Sequence, residues 1–222
     1  IRTIGSKAFS FCRLLKSIDV PSTVTEIGEL AFDNCHHLDD IVLPRGLVKL
    51  GEGAFYNCIS LQTIHIPPLI QTIEARTFLG CTSLTEVILP LGLQEIKKYA
   101  FQSCEALLSI DFPSSLRVIG ELAFDGAGLT EFNLPDSVED CGTFSKCYFT
   151  NLRMPPLITK FDALTFGVEV DSDSIVSIEL PEHIEQVIYP SSVQKRFYEL
   201  QNFAYPAKCS VYIGDDMEED EK

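Results

Sequence analysis

Eight cysteines are the side chains in this 222-residue sequence with the widest chemical range, because thiols can form disulfides, bind metals or act as nucleophiles. Five of them recur every 23 residues, at Cys12, Cys35, Cys58, Cys81 and Cys104. If each step is one turn of a repeating structure, these side chains run parallel at about 4.8 Å, longer than the usual Cβ separation of a disulfide. The spacing therefore favours a ladder of small buried thiols over disulfides. Cys209 lies outside the ladder and is predicted to be the most reactive thiol.

Metal sites receive little support from the ligand spacing. No CxxC pair occurs, and one cysteine per turn gives a line of ligands, whereas zinc requires a tetrahedron. The run "DSDSIVSIELPE" resembles a calcium loop, but Ile175 replaces a ligand and Val176 stands where the sharp turn requires glycine. The favoured interpretation is therefore an acidic loop between two coils. Its candidate ligands are Asp171, Asp173, Ser177, Glu179 and Glu182.

Catalytic motifs are not visible in the sequence. His36 and His37 lie beside Asp39 and Asp40, but no HExxH pattern or third ligand accompanies them, and a solvated turn is the favoured interpretation. GxSxG, P-loop and GxGxxG motifs are absent. We therefore predict no catalytic residues, no metal site and no cofactor.

The elements that position these side chains follow the same period of 23 residues. Five prolines keep the step, as do five phenylalanines: Pro21, Pro44, Pro67, Pro90 and Pro113, and Phe9, Phe32, Phe55, Phe78 and Phe101. Leucines and β-branched residues recur between them, in a repeat written AFxxCxxLxxIxIPxxLxxIG. Three further copies have irregular lengths, which gives about eight coils.

One copy of the repeat predicts one closed coil. In "TEVILP", Val87 and Leu89 alternate with Glu86 and Ile88, as in a short strand with one face inward. Pro90 ends the strand because proline has no N–H for a sheet. The segment "KKYAFQSC" favours a short helical turn. Each coil leaves its strand edges and an apolar side uncovered, so neighbouring coils must stack on it.

The runs "IGELAFDNCHHLDDIVLP" and "LGEGAFYNCISLQTIHIP" resemble the BspA-type leucine-rich repeat family over about residues 1 to 190. The resemblance implies a leucine-rich repeat solenoid with a short-stranded parallel sheet on its concave side and short helical or 3-10 turns and extended segments on the other side. It also implies adhesion or protein binding, without catalytic residues. Ala127 and Glu169 replace the repeat cysteine and Cys141 replaces Ile or Leu, so a distorted concave surface is expected there.

Function on such a solenoid is expected in the outward positions of the concave strands, which do not pack a core. Two residues before successive prolines stand Asp19, Val42, His65, Ile88, Asp111, Asn133, Arg153 and Glu179. Four residues before the same prolines stand Ser17, Asp40, Thr63, Glu86, Ser109, Glu131, Asn151 and Ser177. The predicted partner-binding set is an apolar strip within acidic residues: Asp19, Asp40, Val42, His65, Glu86, Ile88 and Asp111. The alternative is that β-branched residues simply suit strands.

The charge balance restricts the class of partner. Asp and Glu number 32 against 17 Lys and Arg, a net charge of −15 that repels nucleic acid and anionic lipid. No apolar run reaches the roughly 20 residues of a membrane helix. We therefore expect a protein partner carrying basic residues. Neither the oligomeric state nor the compartment can be inferred from the sequence.

The two ends of the chain depart from the repeat. Residues 1–190 are predicted to form the solenoid, with earlier coils or another domain expected before Ile1. Residues 191–213 are predicted to form a cap in which Phe197, Tyr198, Leu200 and Phe203 cover the core, and residues 214–222 an acidic disordered tail. The favoured function is a non-enzymatic interaction or adhesion module. The alternative is a structural spacer, or an accessory repeat domain of a protein whose activity lies outside this chain.

Overall fold

The computed structural model describes residues 1–131, 133–142, 144, 151–162, 177–189 and 209–213. Within these ranges the chain forms a β-solenoid of about seven turns with parallel sheets. The predicted leucine-rich repeat solenoid is confirmed, and the number of turns is close to the eight coils expected. Coils 1 to 8 are numbered by the prolines they contain, which are Pro21, Pro44, Pro67, Pro90, Pro113, Pro135, Pro155 and Pro181. Each coil begins with the residues just before its proline and ends with the phenylalanine turn that follows, so Phe55 belongs to coil 2 and Phe78 to coil 3.

Short parallel strands occupy two sides of the coils. We define the proline face as the side formed by the residues just before each numbered proline, and the glycine face as the side formed by the strands that follow it. Strands of the proline face are β4 (Thr63–His65), β6 (Glu86–Ile88), β10 (Asn151–Arg153) and β12 (Ser177–Glu179). Strands of the glycine face are β1 (Thr3–Ile4), β2 (Glu26–Ile27), β3 (Lys49–Leu50), β5 (Thr72–Ile73), β7 (Glu95–Ile96), β8 (Val118–Ile119), β9 (Asp140–Cys141), β11 (Lys160–Asp162), β13 (Gln186–Tyr189) and β14 (Ser210–Ile213).

The strands are grouped into separate short sheets. On the glycine face the hydrogen-bonded orders are β1-β2-β3, β5-β7-β8-β9 and β11-β13-β14, and on the proline face they are β4-β6 and β10-β12. Equivalent residues of successive coils pair in register, as Ile73 with Ile96 and Ile96 with Ile119 show. The register confirms the repeat that the sequence predicts.

The core consists of aligned columns of side chains, one column for each repeat position. The phenylalanines stack with ring centroids 5.2 Å apart for Phe9 and Phe32 and 5.6 Å apart for Phe55 and Phe78. Five phenylalanines of this column are inaccessible to solvent, namely Phe32, Phe55, Phe78, Phe101 and Phe124. Such stacking buries large apolar rings in every coil and supplies the main attraction between coils.

The turn that carries each phenylalanine is not helical. The prediction of a helical turn in "KKYAFQSC" is wrong, since Ala100 N–H donates to Lys97 O and Cys104 N–H to Phe101 O as separate turns. Tyr99 and Ser103 have φ angles of 61° and 57°, which interrupt any helix. In this conformation the turns bond from coil to coil: Phe55 N–H donates to Thr77 O at 2.9 Å. The turns thus act as a third connection between neighbouring coils.

Most of the predicted cap and all of the predicted tail lie outside the described ranges, in residues 190–208 and 214–222. The predicted cap residues Phe197, Tyr198, Leu200 and Phe203 are among them. Within the predicted cap range, β14 pairs with β13 in parallel register. The repeat position of Glu169 and most of the acidic loop also lie outside these ranges. Within them, no helix is long and apolar enough to cross a bilayer.

Candidate functional site

The cysteine ladder lies inside the coils and is bonded to them. Each buried thiol donates to the carbonyl oxygen of the phenylalanine in the preceding coil, with Sγ–O distances of 3.1 Å from Cys58 to Phe32 and 3.2 Å from Cys81 to Phe55. Burial raises the pKa of the Cys35 thiol to about 11 and that of Cys141 to about 12. The ladder therefore holds protonated thiols in structural positions.

Cys12 and Cys209 differ in exposure from the buried cysteines of the ladder. Cys12, in the first copy of the repeat, is exposed, whereas Cys35, Cys58, Cys81 and Cys104 are buried. Cys209 is partly buried, and burial raises its pKa, which lowers the fraction of thiolate. The predicted reactivity of Cys209 stays a prediction. The seven described cysteines are all free.

The histidine pair forms local contacts. His36 Nε2 lies 3.2 Å from Asn34 Oδ1, and His37 Nδ1 lies 2.6 Å from the carbonyl oxygen of Arg13. Neither ring is directed at a shared ligand position. Across the described ranges, no three His, Cys, Asp or Glu residues are grouped closely enough to hold a metal ion.

The predicted outward row of the proline face is exposed in every coil. The side chains two residues before the prolines are exposed at Asp19, Val42, His65, Ile88, Asp111, Asn133, Arg153 and Glu179. The alternating residues Ile41, Ile64 and Val87 are buried, at 4%, 1% and 7% exposure. The period of two expected of these strands thus separates a packed column from a free one.

Three members of the candidate set form its apolar centre in successive coils. Val42 is 74% exposed and Ile88 is 43% exposed, and His65 is exposed between them. The register pairs His65 directly with Ile88, and Thr63 with Glu86. Because parallel partners stand about 4.8 Å apart, the side chains of His65 and Ile88 form one continuous surface.

Carboxylates surround this strip and form no ion pair with another described residue. Asp19, Asp40, Glu86 and Asp111 are exposed, and none of them takes part in an ion pair that joins described residues. The ion pairs of the regular coils lie elsewhere, as between Arg76 and Glu52 at 2.6 Å and between Lys97 and Glu74 at 2.8 Å. The strip therefore carries negative charge that is not neutralised by an ion pair on the same surface.

The apolar surface extends round the prolines beyond the set that the sequence analysis selected. Leu91 is 89% exposed and Leu69 is 54% exposed, at the turn between the two faces, where Pro68 is also exposed. The sequence contained a signal for Leu91, since the same position holds Ser22, Arg45 and Ser114 in coils 1, 2 and 5, although it holds Pro68 in coil 3. Leu69 and Leu91 thus add exposed apolar surface beside the strip.

Comparison with known proteins agrees with the geometry. The family model "BspA type Leucine rich repeat region (6 copies)" matches residues 2–127 and 94–217. A leucine-rich repeat protein of T. pallidum, known from its crystal structure, is 27% identical, with a TM-score of 0.60 over 84% of this chain and 82% of that protein. A leucine-rich repeat protein of Eubacterium ventriosum ATCC 27560 is 30% identical, with a TM-score of 0.50 over 60% of this chain and 42% of that one. No protein of curated function matches this chain.

Proposed function

Because the chain belongs to the BspA-type leucine-rich repeat family, we propose that it is a non-enzymatic protein-binding or adhesion module that contacts its partner through the proline face. The observation that carries this proposal is the exposed apolar strip of Val42, His65 and Ile88 within carboxylates that form no ion pair with any residue the structure describes. An apolar centre with a polar rim is the usual composition of a protein interface.

The chemistry of the rim indicates the charge of the partner. Asp40 and Glu86 flank the strip, and Asp19 and Asp111 lie at its two ends. A partner with lysine or arginine at these points would gain ion pairs and would be attracted by the net charge of −15. The proposed partner is therefore a protein surface with an apolar centre and basic residues around it.

The experiment is a pull-down with the chain as bait, followed by affinity measurements with the purified partner. The test variant is Val42→Glu with Ile88→Glu, which places two charges in the apolar centre. The matched control is Val48→Glu with Ile59→Glu, which adds the same charge at positions 53% and 40% exposed outside the proline face. Circular dichroism checks that both variants keep the fold.

The proposal expects the test variant to lose its partners and the control to retain them. We expect the affinity for a purified partner to fall by about a hundredfold in the test variant, because two buried contacts at an interface centre are replaced by desolvated charges. Binding should also weaken as salt rises from low to physiological concentration. Equal partner lists for wild type and both variants would instead favour a structural spacer.

A further inference from the structure

A groove on the proline face separates coil 2 from coil 3. It has a volume of about 330 Å³, and Asp40, Val42, Arg45, Thr63, His65 and Pro68 contribute to its lining. One wall is residues 40–43, which are in no strand, and the other is β4. The groove thus passes beneath one end of the apolar strip.

Both walls of the groove present backbone hydrogen-bonding groups. Ile66 N–H donates to Ile88 O at 2.9 Å, so the backbone groups of this residue face coil 4. Because successive residues of a strand point to opposite sides, those of His65 face the groove. By the repeat, Ile41 and Leu43 occupy the positions of Ile64 and Ile66 and present their backbone groups from the other wall.

Strand pairing is missing between coils 2 and 3 on both faces. On the proline face β4 pairs only with β6, and on the glycine face β3 does not pair with β5. Grooves of about 410 and 250 Å³ also separate coils 1 and 2 and coils 4 and 5, but there the glycine face is joined by β2-β3 and β7-β8. Among coils 1 to 5, only the junction of coils 2 and 3 has no strand pairing on either face, although Gln62 N–H donates to Asp39 O at 3.4 Å beside the groove.

A change of residue type at one repeat position coincides with the missing pairing. A Cβ atom on Gly28 or Gly51 would lie 2.5 Å from a backbone nitrogen of the preceding coil, so glycine permits close approach there. Coil 3 has Glu74 at this position, and coil 4 has Lys97 and still pairs with coil 3. Among coils 1 to 5, the junction of coils 2 and 3 is the place where a residue with a side chain follows a glycine at this position.

The second interruption on the glycine face lies at a similar change of residue type. The sequence changes from Gly142 to Asp162 at the equivalent position, and β9 does not pair with β11. Coils 3 and 7 also contain consecutive prolines, at residues 67–68 and 155–156. A test of the glycine position therefore has to leave these prolines unchanged.

We propose that the groove between coils 2 and 3 binds an extended segment of the partner through backbone hydrogen bonds to Ile41, Leu43 and His65. This inference rests on the proposed function and specifies where and in what conformation the partner binds. An apolar side chain of the segment contacts Val42, and a basic side chain contacts Asp40. Arg45 lies at the proline end of the same groove and repels a second basic residue there, which fixes the direction of the segment.

The charge of the chain selects a different protein as the occupant. A second copy would bring another net charge of −15 and the same acidic residues to the groove. Backbone bonding to an open strand edge supplies affinity that depends little on sequence, whereas Asp40 and Val42 supply the selection for a basic residue beside an apolar one. The occupant is therefore a basic and apolar segment in extended conformation.

The probe for this inference is a library of random dodecapeptides selected on the immobilised wild-type chain. The strongest peptide is synthesised and its affinity measured for wild type, for the variant Glu74→Gly with Lys97→Gly, and for Lys97→Gly alone. The double variant has glycine at this position in coils 1 to 5 and is expected to pair β3 with β5 and narrow the groove. Lys97→Gly removes the same ion pair with Glu74 but leaves the junction of coils 2 and 3 unpaired, which makes it the matched control.

The inference expects peptides in which basic and apolar residues are neighbours, with affinity reduced about tenfold or more in the double variant and unchanged in Lys97→Gly. In nuclear magnetic resonance spectra, the bound peptide should shift the backbone amide signals of Ile41, Leu43 and His65. Methylation of the peptide's central amide nitrogens should weaken binding, because it removes the donors. Unchanged amide signals, equal binding to both variants, or failure to select any peptide would overturn the inference.

The outcomes also separate this inference from the proposed function. If the variant Val42→Glu with Ile88→Glu loses the partner while the double glycine variant binds it normally, the proline face is the binding surface and the groove is not used. If neither variant changes binding, both proposals are wrong. Loss of binding in both variants, with Lys97→Gly unaffected, supports both.

Discussion

Coils 3 and 4 are joined on both faces of the solenoid, whereas coils 2 and 3 are joined on neither. The first junction has the pairs β4-β6 and β5-β7, with Gln94 N–H donating to Gln71 O at 2.8 Å and Lys97 N–H to Ile73 O at 2.9 Å. The second junction relies on stacked side chains and on turn bonds such as Gly53 N–H to Ala75 O. Side-chain packing and sheet pairing are therefore separable in this repeat.

The comparison shows which part of the repeat holds the coils together and which part adapts. The phenylalanine stack crosses both junctions, with centroid distances of 5.6 Å between coils 2 and 3 and 5.2 Å between coils 3 and 4. The sheets are interrupted between coils 2 and 3 while the core continues. The unpaired junction lies beneath the apolar strip, so the least constrained backbone of coils 1 to 5 adjoins the proposed binding surface.

The largest expected effect comes from removing the side chain that both junctions share. Phe78 is inaccessible to solvent and stacks on Phe55 and Phe101. We expect Phe78→Ala to lower the free energy of unfolding by about 3–5 kcal/mol, because it leaves a cavity in the core. Urea denaturation followed by circular dichroism measures the loss.

The control for this substitution is Phe9→Ala. Phe9 is only partly buried and stacks on Phe32. The loss of stability in Phe9→Ala should therefore be smaller than that in Phe78→Ala. Equal losses would mean that Phe9 is packed as tightly as Phe78, contrary to the structure.

An intermediate effect is expected from alkaline pH. The pKa of the buried Cys35 thiol is about 11, against an ordinary value of 9.0, and that of Cys141 is about 12. A raised pKa in the folded state stabilises the protein below pH 9, and this contribution is lost as the pH rises from 9 to 11, since the unfolded chain then releases the proton more readily.

The substitution Cys35→Ala tests this dependence on pH. It should reduce the fall in the free energy of unfolding between pH 9 and 11 by on the order of 1 kcal/mol. Urea denaturation at several pH values provides the measurement. If Cys35→Ala and wild type lose stability in parallel, burial of this thiol does not affect folding.

The smallest expected effect on stability comes from a substitution on the proline face. Glu86 is exposed and joins no ion pair with a described residue. Glu86→Gln should change the free energy of unfolding by less than about 0.5 kcal/mol. The same substitution should weaken binding of a basic partner, which calorimetry can measure. A large loss of stability would assign Glu86 a structural role.

The 23-residue repeat was sufficient to predict the core and the exposed row of the proline face. Inward and outward positions follow from the period of two, and stacking follows from identical spacing, so Ile64 is buried and His65 exposed as expected. The prediction of a helical turn at Tyr99 was wrong because residues there adopt left-handed backbone angles that allow hydrogen bonds between coils. Local helix propensity does not take such bonds between coils into account.

The unpaired junction was present in the sequence but required coordinates to interpret. Glu74 visibly departs from the series Gly28, Gly51 and Gly120. The short distances from a Cβ atom built on Gly28 or Gly51 to the preceding backbone show how closely the coils approach at this position, which the sequence alone does not show. The extension of the apolar surface to Leu69 and Leu91 likewise depends on where two successive turns place their side chains.

Amide hydrogen exchange tests the difference between the two junctions most directly. Gln71 and Glu74 occupy the positions of Gln94 and Lys97 one coil earlier, and of these four residues only Gln94 and Lys97 have amides that donate to backbone carbonyls of the preceding coil. We expect the amides of Gln71 and Glu74 to exchange about tenfold faster or more than those of Gln94 and Lys97. The variant Glu74→Gly with Lys97→Gly should slow exchange at residues 71 and 74. Equal protection of the two pairs in the wild-type chain would contradict an open junction between coils 2 and 3.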